Sequence, residues 1–206
     1  MKKLLALLFS LFLFYSPSVF ADDISDFQIE GISVGDSLLD YMTKDEILDE
    51  IEAERDSYFY LNEPNKYSTI YLIKDFSVYD ALTFIIKNNS SNMYLTNKDE
   101  KYTILSIRGV IVYDDDFNGC LQKRDEIEEV FSEMLLNSYK TESNFPKSDD
   151  RSGRSIIDVV DFKYKEDLVR LSCTDYEKTF KIKNNIVDTL NVHVRSEEVR
   201  RWLNDE

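Results

Sequence analysis

The chain has few of the residues from which most metal and nucleotide sites are built, such as histidine, cysteine and glycine. Its 206 residues include one histidine, two cysteines, five glycines and three prolines. A single histidine excludes a metal centre with several histidine ligands and leaves a serine hydrolase only one choice of histidine base. The sequence has no phosphate-binding loop, internal repeat or low-complexity tract. It therefore carries no strong catalytic signature.

Basic residues are scarce in comparison with acidic ones. The chain has 25 lysines and arginines against 40 aspartates and glutamates, which gives a formal net charge of -15. An excess of negative charge repels phosphate backbones and anionic lipids. We therefore expect no nucleic-acid partner and no membrane-surface partner, whereas cationic partners and divalent metals stay open. Solubility alone is a sufficient reason for such a charge.

Only the amino terminus contains a long apolar run. Lys2 and Lys3 precede an apolar segment over residues 4–15, and Ala21 ends a cleavage site of the small-x-small kind. This pattern predicts a secretory signal peptide over residues 1–21. A signal anchor is the less favoured alternative, because the run is shorter than the roughly 20 residues of a membrane span. We predict a periplasmic or secreted protein with no stable membrane insertion after cleavage.

Signal cleavage would leave residues 22–206 as a single mature domain. That length is ordinary for one domain and sufficient for a real core. Loss of two lysines would change the formal net charge to -17. Cys120 and Cys173 both belong to the mature part, and an oxidising compartment favours a disulfide between them over two free thiols.

The first half of the mature chain predicts one helix and then three strands. Thr43 with Glu46 three residues later is a capping-box pattern, and Met42 and Ile47 can form a hydrophobic staple around it. These residues predict a helix over residues 44–55. Strand-like stretches of β-branched and aromatic residues follow. They span residues 67–74, 81–87 and 102–113, the last with Leu105 and Ile107 in one alternating apolar phase.

The second half contains the longest predicted helix. An apolar stripe at helical spacing predicts a helix over residues 119–139, and Cys120, seven residues before Ile127, lies on the side of the stripe. Residues 141–155 are polar and predict a long loop. The remaining predicted elements are a hairpin of strands at residues 155–164 and 168–173, a strand at 186–194 and a closing helix at 196–203.

Side-chain phase in the second strand of this hairpin favours the disulfide. Val169, Leu171 and Cys173 share one face, because side chains alternate along a strand. A helix that packs its apolar stripe on this face would place Cys120 beside Cys173. The run of strands predicts an α+β fold, with an antiparallel-rich sheet packed by one long central helix and short amino-terminal and carboxyl-terminal helices.

Residues 35–38 read Gly-Asp-Ser-Leu and resemble the first block of the GDSL esterase and lipase family. This resemblance implies Ser37 as a nucleophile and His193 as its base. The late Asp-x-x-His block of that family is missing, because Leu190 lies three residues before His193, and no Gly-x-Asn-Asp block is present. His193 also falls in the polar phase of its predicted strand. A turn that leads into a helix is the favoured interpretation, and a serine esterase is the alternative.

Residues 114–125 resemble a calcium-binding loop. Asp114, Asp116 and Asn118 offer oxygen ligands at alternate positions, a glycine follows, and Asp125 stands at the twelfth position, where glutamate would reach further. A strand precedes this segment, whereas a helix precedes such a loop in the calcium family. Calcium is thus the one cofactor that the sequence suggests, with weak affinity. The alternative is that Asp116 or Asn118 caps the long helix.

Residues 150–155 contain the only basic cluster of an acidic loop. Arg151 and Arg154, with the backbone amides near Gly153, could hold a small anion. The alternative is a flexible turn with two solvated arginines. No firm anion site follows from the sequence here.

Five segments form a pattern across nearly the whole mature chain. They are residues 31–41, Cys120 with the Lys/Glu-rich helix behind it, the Asp-x-Ser-Gly-x-Ser loop at 150–155, residues 173–176 and residues 194–203. In these segments the chain resembles a family of small exported proteins from compact, AT-rich marine bacterial genomes, a family without a known activity. The resemblance implies an exported single domain with a cysteine pair, and it implies no catalytic role.

These patterns together favour an exported soluble domain that is not an enzyme. Its expected role is to bind a small ligand or an envelope protein in the periplasm. A serine esterase that uses Ser37 and His193 is one alternative, and a weak calcium-binding domain is the other.

Overall fold

The computed structural model describes residues 24–55, 66–88 and 102–204. The predicted signal peptide lies outside these residues. The strands of the described part are β1 (Gln28–Ile29), β2 (Ile32–Ser33), β3 (Tyr67–Leu72), β4 (Ala81–Lys87), β5 (Thr103–Val112), β6 (Tyr139–Pro146), β7 (Ile156–Tyr164), β8 (Asp167–Asp175) and β9 (Thr189–Arg195). Its α-helices are α1 (Lys44–Ala53), α2 (Phe117–Met134), α3 (Lys178–Asn184) and α4 (Glu197–Asn204), and Ile24–Asp26 and Leu38–Asp40 form 3-10 helices.

Seven strands form one sheet in the order β3-β4-β5-β9-β8-β7-β6. Every neighbouring pair in this sheet is antiparallel. Strands β1 and β2 form a separate two-stranded ribbon. The predicted α+β class with an antiparallel sheet is therefore confirmed.

The main hydrophobic core lies on one face of the sheet. Leu171 of β8 and Val194 of β9 are at most 1% exposed, and Phe131 of α2 packs in the same cluster. Ile47 of α1 and the amino-terminal Ile24 also belong to this cluster. Because α1, α2 and the amino-terminal segment share the core, a single central helix does not describe the helical layer.

Helix α1 begins where the capping pattern predicts. The Glu46 N–H donates to Thr43 Oγ1 at 3.3 Å, and the Thr43 N–H donates to the Glu46 carboxylate at 2.7 Å. Both bonds of the capping box are therefore formed. Met42 and Ile47 are both buried in the main core, as the staple requires.

Helix α4 covers one end of the opposite face of the sheet. Val199 is fully buried there, and the ring of Trp202 lies 4.6 Å from that of Tyr67. Leu203 packs against the same small cluster, which includes Ile85. The predicted closing helix is thus present, and its apolar side chains dock on the sheet.

A register shift between Ile85 and Ile86 leaves Leu105 as an extra residue of β5. The alternation predicted for this strand breaks at such a β-bulge. Leu105 consequently packs under α4, whereas Ile107 stays in the main core, so the prediction of one shared face is wrong. The bulge also sets the phase of the rest of β5, which places Arg108 on the face opposite the core.

Strand β6 corrects the prediction of a long loop over residues 141–155. It pairs with β7 along its whole length at the edge of the sheet. Its side chains are almost all exposed. An edge strand with two solvated faces is polar at successive positions, so the apolar alternation that predicts strands is absent.

Two helices differ from the sequence prediction. Helix α2 starts two residues earlier than predicted and ends at Met134, before the predicted end at residue 139. Helix α3 has no counterpart in the prediction, since seven residues are too few for a clear helical period. Its ends carry recognisable signals: Glu177 accepts a hydrogen bond from the Phe180 N–H, and Asn185 ends the helix in the left-handed conformation.

Candidate functional site

Basic side chains are concentrated on the face of the sheet opposite the main core. The pairing of β9 with β5 and β8 sets His193 directly beside Arg108 and Arg170. Directly paired residues of antiparallel strands share a face. Arg195 lies two positions further along β9 and therefore on the same face. The predicted polar phase of His193 is confirmed, since Val192 and Val194 between these positions are buried in the core.

A cavity of about 40 Å³ lies on this face between β3, β4, β5 and β9. Its volume corresponds to roughly three water-sized positions. The residues that line it include hydroxyl, basic and apolar side chains but no carboxylate. They are Thr69, Thr83, Phe84, Ile85, Ser106, Arg108 and His193.

His193 makes contacts through both ring nitrogens. Its Nε2 lies 2.7 Å from Ser106 Oγ, and Nη2 of Arg195 lies 2.9 Å from its Nδ1. The Arg195 Nε lies 3.1 Å from Nδ1 and 3.2 Å from Nε2, so two of the three Arg195 contacts fall on Nδ1. Because arginine has no acceptor atom, the tautomer with Nδ1 as the acceptor and the proton on Nε2 satisfies these two contacts together with the Ser106 contact. His193 therefore donates to Ser106 Oγ. The hydroxyl proton of Ser106 is left to donate to another acceptor.

The surroundings of His193 keep its ring neutral. Burial lowers the pKa of His193 well below the usual 6.5, and the charges of Arg195, Arg108 and Arg170 lower it further. In a catalytic serine–histidine pair, an acid behind the histidine stabilises the imidazolium that forms. Here Arg195 occupies that position and disfavours the imidazolium. The Ser106–His193 pair is consequently unsuited to activating a nucleophile.

Two polar groups beside the cavity have no hydrogen-bond partner. They are the hydroxyl of Thr69, a residue only 2% exposed, and the buried Nε of Arg108. The Arg108 side chain donates from Nη2 to Thr83 Oγ1 at 3.2 Å. Buried polar groups are normally satisfied. The cavity thus borders two buried polar groups that find no hydrogen-bond partner in the described part of the chain.

Arg108 differs from its neighbour Arg170 in charge compensation. Arg170 donates to both carboxylate oxygens of Asp161, each at 2.7 Å. Within the three described ranges, no carboxylate forms an ion pair with Arg108. One positive charge beside the cavity is thus uncompensated, although the whole chain is strongly acidic.

The Gly-Asp-Ser-Leu segment is a structural turn. Gly35 adopts a φ of +97°, a conformation that favours glycine. Ser37 caps the 3-10 helix Leu38–Asp40, and its Oγ accepts a hydrogen bond from the backbone two residues ahead at 3.3 Å. The favoured interpretation, a turn before a helix, matches this geometry.

Ser37 and His193 lie beside different parts of β5 and are too far apart to contact each other. Ser37 bridges to Thr103 at the start of β5, whereas His193 pairs with Arg108, five residues further along. Five residues of strand correspond to roughly 16 Å. The hydroxyl beside His193 is that of Ser106, so the structure does not assemble the predicted esterase pair.

Asp116 acts as a helix cap. Its Oδ1 accepts a hydrogen bond from the Gly119 N–H at 2.9 Å at the start of α2. A side chain at Gly119 would collide with the Asp116 carboxylate, so the cap itself requires this glycine. Asn118 lies in the first turn of the helix. The cap thus accounts for Asp116 and Gly119 of the candidate calcium loop, and Asn118 belongs to the helix itself.

The outer residues of the candidate calcium loop pair with basic side chains. Asp114 lies 3.8 Å from the ammonium group of Lys181, and Asp125 lies 2.6 Å from Arg124. In the described part of the chain, no group of three or more acidic, histidine or cysteine side chains could hold a metal ion. Calcium binding stays a prediction.

The Asp150 carboxylate accepts hydrogen bonds from several N–H and O–H groups of the loop at residues 150–155. It accepts the N–H groups of Ser152 and Ser155 at 2.9 and 3.0 Å and both of their hydroxyls at 2.7 Å. These bonds hold the pKa of Asp150 well below its usual range. Arg154 pairs at 3.0 Å with the carboxylate that caps α3, and Arg151 is exposed. An internal carboxylate thus already accepts backbone N–H groups on both sides of Gly153 in the candidate anion loop.

The predicted disulfide is confirmed. Cys120 of α2 bonds to Cys173 of β8, with 6.0 Å between their Cα atoms. Both residues are at most 1% exposed and pack with Leu190 of β9. The bridge therefore joins the helical layer to the centre of the sheet, on the face opposite the cavity.

The sequence patterns do not single out Arg108, Ser106 or Thr69. The one available signal is an arginine in the middle of a strand whose neighbours are apolar. Threonine and serine give no signal, since threonine in particular is common in strands. Only the pairing of four strands places these residues around one cavity.

Fold and site together define an α+β protein with a seven-stranded antiparallel sheet and a basic, hydroxyl-lined cavity on the face opposite its core. No family model matches the chain, and neither a curated protein nor a solved structure does. The resemblance to the exported marine family therefore stays a prediction. Among the described helices, none has the length and apolar character to cross a membrane.

Proposed function

We propose that this chain is an exported, soluble domain that binds a small ligand in the cavity beside Thr69, Arg108 and His193 and catalyses no reaction. The observation that carries the proposal is the pair of unpartnered buried groups, Thr69 Oγ1 and Arg108 Nε. An unsatisfied buried group costs about 1–3 kcal/mol. Proteins tolerate such conflicts mainly at functional sites, where a ligand can satisfy the free groups.

The environment of His193 supports binding without catalysis. Arg195 contacts the nitrogen at which an acid would stand in a catalytic triad. Ser106 is 1% exposed, so its hydroxyl has little access to a large acyl substrate. The pair is better suited to holding a hydroxyl donor in place than to transferring a proton.

Two observations support export. The Cys120–Cys173 bridge is of the kind that persists in oxidising compartments, and the first 21 residues carry the pattern of a signal peptide. In the exported protein we expect α2, which the disulfide links to β8, to be the main helix that packs on the apolar face of the sheet. Mass spectrometry of the periplasmic fraction should find a chain that begins at Asp22. A chain that begins at Met1 would count against export by cleavage.

A matched pair of substitutions tests whether the cavity is built for a ligand. Thr69→Val removes a hydroxyl without a partner, so the free energy of unfolding should rise by about 1 kcal/mol. Thr83→Val makes the same change on the neighbouring strand but removes the acceptor of Arg108, so stability should fall by about 1–2 kcal/mol. Urea unfolding measures both. If Thr69→Val destabilised the protein as much as Thr83→Val does, the hydroxyl would serve the fold and the proposal would fail.

A fluorophosphonate probe tests the absence of catalysis. We expect no stoichiometric labelling of the purified protein, because Ser37 caps a helix away from His193 and the surroundings of His193 disfavour the imidazolium that activation of Ser106 would form. Labelling that disappears in Ser37→Ala would establish the esterase alternative. Labelling that disappears in Ser106→Ala would show that the Ser106–His193 pair is reactive despite Arg195.

A further inference from the structure

We propose that the ligand of the cavity is a small oxyanion, either free or as the terminal group of a larger molecule, which Arg108, Thr69 and Ser106 bind through their N–H and O–H donors. This inference rests on the proposed function and names its ligand class. It is separate from the candidate anion site at Arg151 and Arg154.

The polar groups around the cavity are arranged as donors. Nε of Arg108 can only donate, and it has no acceptor in the described part of the structure. In the tautomer with the proton on Nε2, Ser106 Oγ accepts from His193 and its own proton is available. Thr83 Oγ1 accepts from Arg108 in the same way. Thr69 adds a third hydroxyl, which is buried and unpartnered.

The charge around the cavity favours a negative ligand over a neutral or positive one. No carboxylate lines the cavity, so a cation would find no anionic ligand there and would be repelled by the Arg108 guanidinium. Arg108 has no ion-pair partner among the described residues, and a half-buried guanidinium gains most from a charge-assisted hydrogen bond. A neutral sugar or amide would leave that charge uncompensated. The planar guanidinium also suits carboxylate and phosphate oxygens.

The size of the cavity limits the bound group. A volume of about 40 Å³ accommodates a few water-sized positions and not an aromatic or sugar ring. A phosphate, a sulfate or the carboxylate end of a larger molecule is of suitable size. The rest of a larger ligand would have to extend outside the cavity, along the face of the sheet opposite the main core.

An anion titration tests this inference. Inorganic phosphate, sulfate or acetate is added to the protein purified from cells that express the full chain. Chloride keeps the ionic strength constant, and ¹⁵N–¹H spectra together with the Hε1 resonance of His193 report binding. We expect saturable shifts on β5 and β9 with at least one oxyanion. Arg108→Met should abolish them, whereas Arg201→Met, the same change on the exposed surface of α4, should not. Thr69→Val should keep the fold and weaken binding about threefold to tenfold.

The outcomes of this titration distinguish a free oxyanion from the end group of a larger ligand, and the cavity from another binding site. They also distinguish failure of this inference from failure of the proposed function. Shifts with phosphate or sulfate point to the free ion, and shifts with acetate alone point to the carboxylate of a larger ligand. Loss of oxyanion binding in Arg154→Met but not in Arg108→Met would move the site to the loop at 150–155 and overturn the inference. If glucose or trimethylammonium shifted the cavity resonances and no oxyanion did, the cavity would bind a ligand of another class. If no probe shifted them, the proposed function would fail as well.

Discussion

His193 shows how neighbouring charges decide the role of one residue. In the esterase alternative, a histidine near the carboxyl terminus of a chain that also contains Gly-Asp-Ser-Leu is the catalytic base. In the structure its neighbours are Arg195 on its own strand, Arg108 on β5 and Arg170 on β8. These three positive charges and the burial of the ring favour the neutral imidazole. The residue is thereby converted from a base into a fixed hydrogen-bond donor.

The lowered pKa of His193 makes the stability of the protein depend on pH. Below the unfolded-state pKa of about 6.5, the unfolded chain binds a proton that the folded protein does not. The free energy of unfolding should therefore fall as the pH drops from 7, by about 1 kcal/mol at pH 5.5. Urea unfolding at the two pH values measures this loss.

His193→Gln is the control for this pH dependence. The variant removes the only histidine, so it should lose this part of the dependence and keep the part that carboxylates contribute. An equal pH dependence in wild type and variant would contradict the neutral, shielded ring. The wild-type Hε1 resonance should likewise show no titration near pH 6.5.

At the scale of single elements, the amino terminus of α2 shows why one pattern supports two interpretations. Oxygen-bearing side chains at alternate positions followed by glycine are typical of a calcium loop and also of a helix cap. Asp116 and Gly119 form the cap here, between the end of β5 at Val112 and the start of α2 at Phe117. The basic residues Lys181 and Arg124 pair with those carboxylates instead.

The cap can be separated from calcium by substitution. Asp116→Ala should lower the free energy of unfolding by about 1 kcal/mol in calcium and equally in chelator, because it removes the cap of α2. Asp116→Asn should retain most of the stability, since asparagine is an equally good cap. Thermal melts in both solutions provide the measurement. A loss confined to the calcium solution would instead support a metal site at Asp114, Asp116, Asn118 and Asp125.

Strand β6 is an element whose side-chain pattern does not indicate a strand. Lys140 pairs with Glu128 of α2 and with Glu142, and Pro146 ends the strand. Charged side chains and proline are common on edge strands, because they discourage pairing with another chain. The features that protect the edge are the same ones that make the segment resemble a loop.

For the whole molecule, the disulfide connects two layers that are built from distant parts of the chain. Cys120 and Cys173 are 53 residues apart, and the segment between them contributes most of α2, β6 and β7. The bridge fixes α2 on the core face of β8. The opposite face of β8 and β9 is thereby left to carry Arg170, His193 and Arg195.

Loss of the bridge should destabilise the protein strongly. In the chain-entropy account, a crosslink across about 50 residues contributes about 4 kcal/mol. The double variant Cys120→Ala/Cys173→Ala should lose about this amount in urea unfolding. Each single Cys→Ala variant should lose about as much, because either change removes the same bond. Native protein that shows two free thiols by mass spectrometry would contradict the structure.

The sequence by itself determined the features that depend on neighbouring residues. The capping box of Thr43 and Glu46, the alternating phase of Leu171 and Cys173 and the antiparallel α+β class all follow from short-range spacing and side-chain type, and the structure has each of them. The disulfide belongs to the same group, since helical and strand periodicities were enough to place both cysteines on facing apolar sides.

Only the tertiary structure decided where the cavity lies and which residues line it. Thr69, Arg108 and His193 come from three strands far apart in the chain, and the shift between Ile85 and Ile86 sets their relative positions. A one-residue change of register would move a strand's side chains to the other face. Such register depends on the pairing of distant strands, so no local pattern in the sequence could specify this site.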